Sequence, residues 1–263
     1  MLKKLLKYDM RANMKVFLLI WPALIIFSLL GRFSLTADLQ GRLDTIFSTA
    51  TIIVFVLAVF AAFLFSIVLA ITRFYSGLLR NEGYLMFTLP VKPWQLIISK
   101  YLTSLITIVV TALLSVVSIF ILCSGIPGFT ADLHFFTAFM NREFHAGSYI
   151  MLALLMLAGV STSIFQIYLA CSIGQLFNKG RILFSALFYY LINVVLSVAS
   201  TTFAIIFGTS RTLQEAVISI FEGMHIQTAT FVALSISLLL SAALCCVYFF
   251  VTKYILSKRL NLE

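Results

Sequence analysis

The stretch IFSTATIIVFVLAVFAAFLFSIVLAIT (residues 46–72) carries no Asp, Glu, Lys, Arg or His. A helix needs about 20 apolar residues to cross the hydrocarbon core of a bilayer, and this run is longer than that. Working outward, five further runs share its character, at 15–33, 101–124, 149–174, 182–207 and 228–252. Across all six, the only charged residues are Lys15 and Arg32, towards the two ends of the first run. A charge at the bilayer centre costs about 2.5–3.5 kcal/mol even on the lenient insertion scale. Their scarcity predicts an all-α polytopic membrane protein with six transmembrane helices. A hydrophobic fraction of 62% and a mean hydropathy of +1.11 leave too little polar sequence for a separate soluble domain. Residues 1–263 therefore read as one transmembrane domain.

Basic residues set the expected orientation. Of the 18 Lys and Arg residues, fourteen fall in one alternating set of gaps: Lys3 to Lys15, Arg73 to Lys100, Lys179 with Arg181, and Lys253 to Arg259. Arg32, Arg42, Arg142 and Arg211 make up the other set. The positive-inside rule puts the first set, and both termini, in the cytoplasm. The net charge of +9 is this topology signal. A nucleic-acid partner is not expected, because no soluble face gathers the charge. Cys123, Cys171, Cys245 and Cys246 all lie in the runs and read as small apolar residues rather than a disulfide or zinc set. No small-x-small cleavage site follows the first run, so no cleaved signal is expected. No internal repeat relates the first three runs to the last three.

The gaps carry more information than the runs. Residues 2–14 read as an amphipathic interfacial helix. At 100° per residue, Lys3, Lys4, Lys7, Arg11 and Lys15 fall within an arc of about 120°, opposite Leu2, Leu5, Leu6 and Ala12. Such a helix sinks its apolar face into the membrane surface while its lysines meet anionic lipid headgroups; a basic leader that only fixes topology is the alternative. Asp9 falls on the apolar side and needs a partner there. The segment RFYSGLLRNEGYLMFTLPVKPWQLIISK (73–100) is the most distinctive in the chain. Gly77, Gly83, Pro90 and Pro93 prevent one straight helix. Tyr84 to Leu89 form an apolar block too short to span a bilayer, with Asn81 to cap a short helix and Glu82 to complement its dipole. Pro93 suits the first turn of the third span, and Trp94 the interfacial belt. An exposed apolar elbow of this kind marks a protein contact, the alternative being a loop that dips into the headgroups.

The run Glu82-Gly83-Tyr84-Leu85-Met86-Phe87-Thr88-Leu89-Pro90-Val91 resembles the segment between the second and third helices of exporter-type ATP-binding-cassette (ABC) permeases. That superfamily includes bacterial drug, bacteriocin-immunity and polysaccharide exporters. The start, Leu2 to Asp9, is similar to the family's connecting helix, and the ends Thr252 to Leu256 and Lys258 to Leu262 are similar to a recurrent family tail. The resemblance covers the whole chain as six spans with both ends inside. It implies a permease subunit, not itself an enzyme, whose elbow includes a cytoplasmic coupling helix between helices 2 and 3. That helix docks on a separate ABC ATPase, present in two copies, which holds the ATP and Mg. It also implies a dimer with a second permease, identical or related. Glu82, Gly83, Tyr84, Leu85, Phe87 and Leu89 are then the ATPase-coupling residues.

Other features agree with a separate motor. The chain has no GxxxxGK[ST] phosphate loop, so no cofactor is expected on this chain. The gap at Lys179-Gly180-Arg181 reads as a tight charged turn or a minor second contact. Small and hydroxyl stripes recur every four residues: Ala58, Ala62, Ser66 and Ala70; Thr103, Thr107, Thr111 and Ser115; Ala233, Ser237, Ser241 and Cys245. Such stripes let helices approach closely in lipid. Asn193, Ser197, Ser200 and Thr201 form the most polar face of the fifth run. By the family resemblance this face is a candidate substrate path, with Asn193 as its polar contact; a helix-packing hydrogen bond is the alternative. Outside, Leu213, Ala216, Val217, Ile220 and Phe221 recur at helical spacing and read as an amphipathic helix resting at the outer surface, and the Phe-rich 129–144 segment is expected to fold down likewise. His134, His145 and His225 form no local metal motif.

At membrane depth the spans offer no acid, His or Lys partner for a hydroxyl nucleophile, which disfavours an intramembrane enzyme. They also lack the intramembrane carboxylates and glycine-rich breaks of an ion-coupled carrier. A non-transporting membrane anchor or sensor subunit stays open beside the permease. An uncharged path favours an apolar or amphipathic cargo such as a peptide, drug or lipid-like molecule.

In a cysteine-free background, Asp38→Cys, Asp132→Cys and Glu215→Cys should react with an impermeant thiol reagent in whole cells. Ser76→Cys and Lys179→Cys should react only after lysis. Labelling of Lys179→Cys in intact cells overturns the six-span topology.

Overall fold

A computed structural model of the chain describes residues 2–36, 42–79, 93–126, 146–177, 180–212 and 225–258, with the single residues Phe129, His134, Thr137, Gln214, Glu215 and Ser219. Six long helices dominate it: α1 Leu2–Thr36, α2 Arg42–Phe74, α3 Pro93–Cys123, α4 Ala146–Gly174, α5 Arg181–Thr209 and α6 Ile226–Lys258. Each is long and apolar enough to cross a membrane. A π-helical turn, Tyr75–Leu79, continues α2. The chain is a helical multi-pass membrane protein.

Every helix outruns the apolar stretch that predicts it. α1 absorbs residues 2–14, so the basic amphipathic segment is the first part of one unbroken helix rather than a separate element. Nothing between Ala12 and Val16 stops propagation, and each added residue gains a backbone hydrogen bond. Lys3, Lys4, Lys7, Arg11 and Lys15 are all exposed on it, while Leu5 and Leu6 are partly covered. The helix also continues through Pro22, whose missing N–H leaves the Leu18 carbonyl without its usual partner. Gly77 does not break the chain; it sits inside the π turn. Pro93 opens α3 as expected, so 93–100 belongs to that helix. Residues 80–92 lie outside the described residues, and with them Glu82, Gly83, Tyr84, Leu85, Phe87 and Leu89.

The helices form two compact units, residues 1–139 and 140–263. In the first, α1 packs along α3, and α2 packs on both. The hydroxyl stripe of α3 is the seam: Thr103, Thr107, Thr111, Ser115 and Ser118 are all buried. Except at Ser118, whose Oγ has no partner among the described residues, its hydroxyls turn back onto their own helix, as where Thr107 donates to the Thr103 carbonyl at 3.0 Å and Thr111 to that of Thr107 at 2.8 Å. A bonded-back hydroxyl is small and satisfied, which permits close approach without a stranded polar group. At Thr111 the three helices meet. Trp21 Nε1 of α1 donates to Thr111 Oγ1 at 3.2 Å, and Ser66 Oγ of α2 lies 3.4 Å from the same oxygen. The α2 stripe is buried at Ala62, Ser66 and Ala70.

In the second unit, α4 packs along α6 and against α5. Phe165 and Tyr168 of α4 are buried, and the Phe165 ring meets Phe249 of α6 edge to face at 5.6 Å. The α6 stripe differs from expectation. Ser237, Ser241 and Cys245 are only partly covered and Ala233 is exposed, whereas Tyr248, Ile255 and Leu256 of the same helix are buried. Turns at 175–177 follow α4, and Gly180 takes φ 71° at the start of α5, while Lys179 of the predicted charged turn lies outside the described residues. Phe177 stacks on Phe184 of α5 at 4.2 Å.

Gly174 closes this corner. A Cβ there would overlap Ser185 Oγ and come within 2.7 Å of the Ser185 nitrogen and 2.8 Å of the Arg181 carbonyl. Backbone atoms cannot swing aside, so Gly174→Ala should cost about 1–3 kcal/mol, read as a lower unfolding midpoint in detergent titration. An unchanged midpoint would show that α4 and α5 do not meet at this corner.

Candidate functional site

The ends of α1, α2 and α3 that carry the basic residues converge on a polar cluster. Asp9, on the covered side of α1, points at the start of α3. Lys100 Nζ donates to Asp9 Oδ1 at 2.6 Å, and Ser99 Oγ donates to Asp9 Oδ2 at 2.8 Å. Consecutive residues of α3 thus occupy both carboxylate oxygens. The side chains are 7% exposed for Lys100 and 18% for Asp9, so this is a largely dehydrated ion pair with an added charge-assisted hydrogen bond. Arg73, near the end of α2, donates through Nη2 to the Ala12 carbonyl at 3.3 Å. Buried Asn13 lies one turn beyond Asp9, and its Oδ1 has no hydrogen-bond partner among the described residues.

Gly77 makes room for the pair. A Cβ at Gly77 would come within 3.1 Å of Lys100 Cε and 3.2 Å of Nζ. Hydrogen as the side chain lets the lysine stem pass the π turn and reach Asp9. The helices that flank residues 80–92, α2 through Arg73 and α3 through Ser99 and Lys100, are therefore both tied to α1 between Asp9 and Ala12. Asp9's position on the apolar side of α1 signalled a missing partner. Lys100 was legible only as a topology charge, since nothing local links residues 91 apart.

The face Asn193, Ser197, Ser200 and Thr201 lies exposed along α5. Asn193 Nδ2 donates to the Tyr189 carbonyl at 2.8 Å. Ser200 and Thr201 donate to the Ser197 carbonyl at 2.9 and 2.7 Å. Among the described residues Asn193 makes no hydrogen bond to another helix, and one of its amide hydrogens closes onto its own helix. The residues expected to contact an ATPase, Glu82 to Leu89, lie outside the described residues, as does the outer amphipathic set Leu213, Ala216, Val217, Ile220 and Phe221. His134 and His225 are exposed, and among the described residues no His, Cys, Asp or Glu group is arranged to hold a metal.

Removing one member of a buried pair strands the other charge, at about 3 kcal/mol or more. Asp9→Asn and Lys100→Gln should each lower stability in mixed micelles by that order. The double variant should recover part of the loss, with a coupling energy of about 1–3 kcal/mol. Strictly additive losses would dissolve the pair as an energetic unit.

Comparison of the chain with protein-family models, with curated proteins and with solved structures returned no match.

Proposed function

We propose that the chain is the membrane permease subunit of an ABC exporter, driven by ATP and Mg held on a separate ATPase. The observation that carries the reading is the pairing of six apolar helices with an apolar elbow, Glu82 to Leu89, between the second and third. In this reading the working unit has two permeases, identical or related, and two ATPase subunits. Both termini face the cytoplasm of a bacterial cell, and the cargo is apolar or amphipathic. The exposed hydroxyl and amide face of α5 supports a path between two permeases, since polar groups on a membrane helix favour a partner or a wet cavity over lipid.

The coupling route follows from how the elbow is rooted. A short helix at 82–89, pressed by the motor, pushes on the π turn and on the first turns of α3. Lys100 and Ser99 pass the displacement to Asp9, and Arg73 to the Ala12 carbonyl, so α1 moves with the elbow. Gly83 allows close backbone approach to the ATPase. Tyr84 offers an aromatic body with a polar tip, while Leu85, Phe87 and Leu89 anchor the helix. Glu82 favours its N-terminus or pairs with a basic residue on the motor.

Burying one large side chain contributes about 1.5–3 kcal/mol, so Tyr84→Ala should weaken ATPase capture by about tenfold to a hundredfold with expression intact. Glu82→Ala should separate ATP hydrolysis from transport in reconstituted vesicles more than it disturbs assembly. Native mass spectrometry should find two permeases with two ATPases. A stable, transporting assembly without an ATPase, or full capture and transport by both variants, overturns the reading.

A further inference from the structure

A crevice of about 440 Å³ runs between α1 and α2. Ala23, Ala58, Ala61 and Ala62 leave the space between the helices, and Phe27 and Phe65 help to wall it. Lys15 is the one charged residue in its lining, and it sits at one end. From Lys15 to Phe27 the helix rises about 18 Å, close to one leaflet of a hydrocarbon core about 30 Å thick. Lys15 is also the last of a ridge, Lys3, Lys7, Arg11 and Lys15, spaced four residues apart and exposed throughout. The ridge leads to the mouth of the crevice.

We infer that this crevice seats an acyl chain of an anionic phospholipid whose phosphate meets Lys15. An apolar void in hydrocarbon forfeits dispersion contacts on both walls, and a lipid chain of one leaflet's length restores them. Charge selects the lipid. A phosphate without its own cation satisfies Lys15, whereas a zwitterionic headgroup sets a second cation beside the basic ridge. An apolar helix from a second copy of the chain would cover the alanines but bury Lys15 against side chains that cannot pair it. The inference rests on the membrane placement of α1 and α2 and not on the transport reading, so its test needs no ATPase.

The test uses the full chain in phosphatidylcholine nanodiscs doped with a photoactivatable phosphatidylglycerol or a photoactivatable phosphatidylcholine, with labelled peptides identified by mass spectrometry. Peptides covering 15–27 and 58–65 should take up the anionic probe about fivefold over the zwitterionic one, the ratio set by one lysine–headgroup contact. Lys15→Gln should bring that ratio near one, and Lys15→Arg should keep it. Ala61→Phe, which fills the crevice, should cut labelling by both probes; if it fails to insert, the Lys15 pair decides alone. Equal labelling by the two probes in the parent chain, or a preference that survives Lys15→Gln, overturns the proposal. So does an Ala61→Cys variant that forms a near-quantitative disulfide between two chains, because a protein then occupies the crevice.

Discussion

A peptide N–H in hydrocarbon has no water to bond, and leaving it unpaired costs several kcal/mol. That constraint governs this molecule. It turns each apolar run into a helix, because a helix satisfies its amides internally, and it explains why the helices run past the apolar residues. Once nucleated, α1 propagates back through the lysines of its first turns, as α3 does to Pro93. The same requirement extends to side chains. The hydroxyls of Thr103, Thr107 and Thr111 each donate to a carbonyl three or four residues earlier, so a stripe that looks polar packs as a row of small satisfied groups.

Hydroxyl chemistry therefore does not settle a helix's role; its surroundings do. The stripe on α3 lies in the seam of its unit, where Trp21 adds a bond from α1. The comparable face of α5, from Asn193 to Thr201, bonds back in the same way but stays exposed. One surface is spent on holding three helices together and the other is free for what lies beside the molecule. The two units share one habit: in each, the first helix packs most closely along the third.

The Asp9–Lys100 pair stands out against so apolar a background. A carboxylate held at 2.6 Å by a lysine and at 2.8 Å by a serine is a positional device, since such a pair tolerates little displacement. Burial makes its net stabilisation small while making its disruption expensive. Gly77 gives the lysine its passage to the carboxylate. The helices on either side of residues 80–92 are both bonded to α1 beside that pair, α2 through Arg73 and α3 through Ser99 and Lys100.

Much of this was open to local reading. Run lengths and the near absence of charge located all six helices, and the turn before α5 was legible at Gly180. The charge arc over Lys3 to Lys15 marked the face of α1 that stays exposed. Hydropathy and periodicity are properties of neighbouring residues, however. They stop where the hydrocarbon stops, which is why 2–14 and 93–100 read as separate pieces though each continues a spanning helix. They also rank the stripes of α2, α3 and α6 alike, although Ala62, Ser66 and the α3 hydroxyls are buried while the α6 set is not. Asp9 announced a missing partner but not its identity. Only packing α1 beside α3, across 91 positions of chain, chose Lys100, because a side chain's partner depends on which helices are neighbours in space.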